Sequence, residues 1–455
     1  MCSLTLFCTQ INIIGKVGPS LPRQQQFNNK RPRAVPFQTL NKLHFKQAIA
    51  SLGPGLLYAA VAVGVSHLVQ ATRAGADYGL AMGIIVIFAC LVKYPALRFG
   101  GEYAAATGKN LVVNYRERGL FIFSLFSVSQ LFSMVFIIAA VALFSSGLLQ
   151  AALGFQTGPV IGVFLMLALV AVLLMSGHYR ALERVTKTIV IGFTVLTTLC
   201  MLLVVGRLDW SWSALAFPAF DAPTVLFIVA LVGFMPSPTD ASILQSLWTV
   251  ARAETDGRLA TKEESRFDFN VGYLTSCVLA VFFLFLGTAV LFGNGVEMPP
   301  DNAGFARRLL EVYTSIIGDW SYSIIGVTAL CVMLSTALAV TDGMTRMALA
   351  IGAESLPGAH WQTNQFYNIV LIVLCLSATT VIWLLLQSFS AFMDMTSVIV
   401  FIIGPFLALL NHQAIYSDEI PEEKQPGQLI RIWSLVSIIS LFLLMAIYLY
   451  YRVFG

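Results

Sequence analysis

Between residues 47 and 72 the chain runs without a single Asp, Glu, Lys or Arg, and a stretch of about 20 apolar residues is enough for a helix to cross a bilayer. Ten more apolar runs, some with one or two charged residues, follow near residues 79–100, 119–149, 158–176, 186–206, 223–250, 269–292, 321–345, 366–387, 391–410 and 430–450. With 58% hydrophobic residues, 11% charged residues and a mean hydropathy of +0.81, the chain reads as an all-α integral membrane protein with about eleven transmembrane helices. Its neighbour is the lipid bilayer. The net charge of +4 needs no nucleic acid to explain it, because topology places the basic residues.

Two of the runs are interrupted. Gly53, Pro54, Gly55 and Gly64 break the first, and Gly233, Pro236 and Pro238 break the run 223–250. Within a membrane such backbone is tolerated where the freed groups are satisfied by protein or line a cavity. A pair of broken helices, one early in each half of a polytopic chain, is the pattern of a transporter's binding site. The spacing therefore predicts that Gly64, Val65, Ser66 and His67, and Met235, Pro236, Ser237, Pro238 and Thr239, are non-helical or strained and face one another across a central cavity.

Residues 1–45 are polar, basic and free of acidic side chains, the composition of a disordered tail. With that tail in the cytoplasm, only Arg73, Arg207, Arg307, Arg308 and Arg452 of the 27 Lys and Arg fall on outside segments. The positive-inside rule then fixes a multi-pass orientation with a cytoplasmic N-terminus, in the plasma membrane. Residues 252–268 become a cytoplasmic connector, and residues 411–455 a cytoplasmic loop with the final transmembrane helix. In the outside loop 297–319, Phe305, Leu309, Val312 and Ile316 recur at helical spacing and predict a short helix lying on the protein.

Ionisable residues inside a membrane are costly and read as functional by default. His67 is the one histidine of five placed deep in a span; it can ligate a metal, accept a proton, or hydrogen-bond a neighbouring helix. Asp240, the carboxylate of the sixth span, either supplies negative charge to the site or caps the resumed half-helix. Met235 offers a thioether that is either a soft ligand or packing. Ser66, Ser237 and Thr239 offer hydroxyls. In the third span Ser127, Ser129, Gln130 and Ser133 share one arc, for hydrogen bonds between helices in preference to a wet pathway. Lys93, Arg98 and Glu102 are expected to snorkel toward the cytoplasmic end of the second span, and Glu183 with its flanking arginines, and Asp342 with Arg346, to pair. The seven cysteines form no Cys-x-x-Cys pair, so neither a zinc site nor a disulfide framework is indicated.

The order of landmarks resembles the natural resistance-associated macrophage protein (Nramp) family of divalent-metal transporters. Gly53-Pro54-Gly55 opens the first span and Arg73-Ala74-Gly75-Ala76-Asp77-Tyr78-Gly79 closes it. Arg98-Phe99-Gly100 and Thr107-Gly108-Lys109-Asn110-Leu111 end the second, Tyr179-Arg180-Ala181-Leu182-Glu183 precedes the fifth, Asp209-Trp210 follows it, and Met235-Pro236 breaks the sixth. The resemblance implies a LeuT-type fold over residues 46–410, with inverted repeats of five spans each near 47–206 and 223–410, plus one extra helix. It implies metal transport by alternating access and supports Met235 as a ligand; His67 and Asp240, read from their own chemistry, complete the candidate metal ligands. The family's Asp-Pro-Gly-Asn falls on Gly64, Val65, Ser66 and His67, its Met-Pro-His becomes Met235-Pro236-Ser237, and its acidic third span is replaced by residues 119–150 with no ionisable side chain. The site is thus remodelled and less acidic, which keeps open a same-fold transporter of a non-metal small solute. A membrane sensor or enzyme is the weaker reading, because neither His-Glu-x-x-His nor Gly-x-Ser-x-Gly occurs. No cofactor is called for. The oligomeric state is open, and a monomer is compatible with the sequence.

Overall fold

The computed structural model describes residues 53–454 apart from 177–178, 213, 218, 294–297, 359–360 and 362, and only the backbone of residues 179–191. The expectations for the tail 1–45 and for the Glu183 side chain lie outside the described residues. The first span is divided into α1 (Pro54–Ala62), a π-helical turn (Ser66–Ala71) and α2 (Thr72–Tyr78). It is followed by α3 (Met82–Thr107), the short α4 (Leu111–Glu117), α5 (Leu120–Leu153), α6 (Pro159–Met175) and α7 (Tyr179–Val204). The sixth span is also divided, into α8 (Ala222–Phe234) and α9 (Ala241–Asp256). Then come α10 (Lys262–Leu291), α11 (Asn302–Ile317), α12 (Tyr322–Ser355), α13 (Asn364–Leu385), α14 (Phe389–Ile415) and α15 (Gln428–Phe454). Among the described residues seven helical stretches are long and apolar enough to cross a membrane, and the apolar helices Pro159–Met175, Gly192–Arg207 and Ala222–Phe234 are shorter.

α10 is the rail on which the first span lies. A Cβ at Gly272 would stand 2.0 Å from the Gly55 carbonyl oxygen, and one at Gly287 would stand 2.2 Å from that of Thr72. Only glycine lets the two backbones approach so closely, and in lipid, where burial gives helices no hydrophobic drive to associate, close packing holds them together. Asp268 of α10 fixes the start of the span by accepting from the Gly53 and Gly55 amides, both at 2.7 Å. Two of the orphan N–H groups of a helix start are paired in this way. At the other end of the span, Arg73 grips Asp394 of α14 at 2.7 and 3.2 Å, joined by Gln70 and Ser397.

α11 forms where the spacing placed it. Asp301 caps it through the Gly304 amide, and Phe305, Leu309 and Val312 are buried against the bundle. The pair of Asp342 and Arg346 is present at 2.8 Å, with Tyr367 donating to the same carboxylate.

Three expectations are corrected. Arg98 and Glu102 do not snorkel: they form a buried ion pair at 2.8 Å within α3, because a four-residue spacing brings them together beneath α9 and α10. Lys93 does not snorkel either. It lies 14 residues before the end of α3, roughly 21 Å along the axis at the helical rise, far beyond the reach of its stem. The hydroxyls of Ser127, Ser129 and Ser133 bond carbonyls of their own helix, not a neighbour's, as Ser does inside helices. Gln130 beside them is buried with both amide atoms unpartnered.

Candidate functional site

The two breaks meet in the core. α1 stops at Ala62, and after a non-helical step at Val63 and Gly64 the chain resumes as the π-turn. The interruption thus begins one residue before the expected Gly64 to His67 and is over before Ser66 and His67, which lie in the π-turn. Ser66 explains the shift, since its hydroxyl lies 2.6 Å from the freed Ala62 carbonyl and the His67 and Leu68 amides both reach the Gly64 carbonyl. Thr336 of α12 fills the space beside Gly64, where a Cβ would stand 2.8 Å from its methyl carbon.

The sixth span breaks as expected. The Met235 amide closes α8 on Leu231, the Met235-Pro236 peptide is cis, and helix resumes at Ala241. Pro236 and Pro238 have no N–H to donate, so carbonyls of the last turn of α8 lose their helical donors.

The segments touch directly instead of standing apart across a cavity. Tyr58 of α1 hydrogen-bonds Ser237 at 2.8 Å, and the Ser66 hydroxyl lies 3.4 Å from the Pro236 carbonyl. Gly64, Val65, Ser66, His67, Met235, Pro236, Ser237, Thr239 and Asp240 are all buried. A polar pocket bordered by Pro54, Arg252, Asp256, Glu264 and Asp268 lies at the start of the first span, away from this seam.

His67 is held at both ring nitrogens. Nε2 lies 2.8 Å from the Ser276 carbonyl of α10, and Nδ1 lies 2.8 Å from Ser66 Oγ. A carbonyl only accepts, so Nε2 carries the proton and, in the neutral ring, Nδ1 keeps its lone pair toward the break. Phe283 meets the ring edge-on and fixes its plane. Asp240 stands buried at the N-cap of α9 and makes no capping hydrogen bond through its side chain.

Sequence reasoning missed three contributors. Tyr58 carries no signal that sets it apart from other aromatics of an apolar span, and Ser276 acts through its backbone, which no sequence pattern reveals. Lys93 was misassigned, although its distance from either end of the span was the available signal. Its ammonium donates to the carbonyls of Gly233 at 2.6 Å and Ser237 at 3.1 Å. Among the described residues no three of His, Cys, Asp and Glu are grouped as a metal site.

An all-helical membrane bundle in which two interrupted spans meet at a buried polar seam is the construction of a secondary transporter. The model of the natural resistance-associated macrophage protein-like family matches residues 55–451, and the chain belongs to the Nramp family. An uncharacterized protein of Pasteurella multocida, PM0681, is 30% identical over 389 residues, 84% of this chain and 88% of that protein. Among solved structures, a manganese transporter of Eremococcus coleocola aligns with a TM-score of 0.65 at 15% identity, over 90% of this chain and 87% of that one. MhsT in complex with L-phenylalanine aligns at 0.55 and 13% identity, over 86% and 98%. Mhp1, a nucleobase-cation-symport-1 family transporter, aligns at 0.54 and 14%, over 87% and 92%. The fold is therefore of the LeuT type, and the chain is a multi-pass membrane transporter, not an enzyme.

Proposed function

We propose that the cargo is a divalent metal ion, carried by alternating access through the seam between the two breaks, with His67, Met235 and Asp240 as its side-chain ligands. The orientation of His67 carries this reading. A metal-bound imidazole characteristically donates its second N–H to a carbonyl or carboxylate, which sets the tautomer. Here Nε2–H is committed to Ser276 while Nδ1 faces the break, with Ser66 Oγ occupying the position a ligand would take. Ser237, Thr239 and the Pro236 carbonyl complete the set of donors. An imidazole, a thioether and a single carboxylate are softer than the oxygen cages Mg²⁺ and Ca²⁺ require, so transition metals are preferred.

Alternating access needs a tie at each end of the first span. Asp268 on the Gly53 and Gly55 amides is the inner tie, Arg73 with Asp394 the outer one, and the pocket beside Asp268 the cytoplasmic mouth. This assignment places the N-terminus in the cytoplasm and the protein in the plasma membrane, with repeats near 47–206 and 223–410 moving against each other. A monomer suffices.

Proteoliposome uptake and isothermal titration with Mn²⁺, Zn²⁺ and Mg²⁺ test the proposal. Mn²⁺ or Zn²⁺ should bind and enter, with Asp240→Asn binding more weakly. If no metal binds at millimolar concentration, a small organic solute replaces the metal as cargo.

A further inference from the structure

The break in the sixth span exposes backbone carbonyls inside the membrane, and these are partnered by a cation that belongs to the protein. In a continuous helix the Gly233 carbonyl would accept from the residue 237 amide and the Ser237 carbonyl from the residue 241 amide. The Ala241 amide turns instead to the Pro238 carbonyl at 3.2 Å. Both Gly233 and Ser237 then receive their hydrogen bonds from one atom, Lys93 Nζ, at 2.6 and 3.1 Å. The side chain is only 2% exposed, and its stem leaves α3 near the middle of the helix.

Carbonyl oxygens released at helix breaks are what membrane transporters offer to a small monovalent cation. A buried ammonium in such a place is satisfied as a bound ion is satisfied, and away from it would cost several kcal/mol at midplane. We propose that Lys93 is a tethered cation: its ammonium permanently fills a monovalent-cation site formed by the Gly233 and Ser237 carbonyls, so that no free alkali ion is needed there. Removing the amine empties the site and makes the protein dependent on a dissolved cation of similar size. The inference is independent of the cargo, since it is read out as stability and not as uptake.

The test uses the purified full chain in detergent, unfolded by heat in choline chloride and in NaCl, KCl or methylammonium chloride at equal ionic strength. The parent should melt at one temperature in all four salts, because the site is already filled. Lys93→Ala should melt lower in choline by roughly 5 °C and recover saturably when Na⁺, K⁺ or methylammonium replaces it. Lys93→Gln, which retains an N–H donor but no charge, serves if the alanine variant fails to accumulate, and should recover in the same way. A variant that melts alike in all four salts overturns the proposal. A parent whose melting temperature itself climbs with the small cations also overturns it, whichever variants fold.

Discussion

At the break in the first span the freed backbone is satisfied from close by and by neutral groups, with Ser66 reaching Ala62 and His67 donating to the Ser276 carbonyl. At the break in the sixth span it is satisfied from a separate helix and by a full charge, Lys93 reaching Gly233 and Ser237. The same backbone device thus carries two kinds of partner. Neutral hydrogen bonds exchange cheaply, so the first break is suited to admitting and releasing a cargo. A buried ammonium is expensive to leave unpaired, so the sixth break is suited to staying as it is. The packing agrees: the first span rests on the glycines of α10, where its two halves have separate footholds at Gly272 and Gly287.

The largest effect should come from the charged break. Lys93→Met keeps most of the stem volume but removes every donor, and should destabilise the protein by about 3 kcal/mol, since two buried carbonyls lose their charged donor together. Unfolding titrated with a denaturing detergent measures it, and a loss no greater than that of a neutral seam residue would erase the contrast between the breaks. Next comes the foothold. Gly55→Val should cost about 2 kcal/mol through overpacking, because a Cβ there stands 2.0 Å from the Asp268 carbonyl oxygen, and should slow uptake by displacing α1 from α10.

At the neutral break, His67→Leu should cost about 1.5 kcal/mol and weaken metal binding by about tenfold, the usual effect of losing a ligand or its orienting partner. Titration calorimetry separates the two, and unchanged affinity would reduce His67 to a helix tie. The smallest effect is expected at the contact between the breaks: Tyr58→Phe removes the hydroxyl bonded to Ser237, worth about 1 kcal/mol in a membrane interior. A larger loss would mean that the two breaks act as one unit.

What the sequence determined by itself follows from the cost of unpaired backbone in lipid. That cost makes apolar runs into helices, so the spans, the interruptions near Gly64 and Met235-Pro236, and the short helix around Phe305 and Leu309 were legible from composition and spacing. The proximity of the two breaks was legible too, as a matter of pattern. The tertiary structure decided who satisfies whom. Whether a hydroxyl in α5 bonds its own helix or a neighbour, which carbonyl receives the His67 N–H, and whether the Asp240 side chain caps α9 all depend on distances of a few ångströms between helices far apart in sequence. Lys93 shows the limit most clearly: the chain reveals a cation among apolar neighbours, but the carbonyls that hold it lie 140 and 144 residues away, and only the packing of α3 against the sixth span brings them within reach.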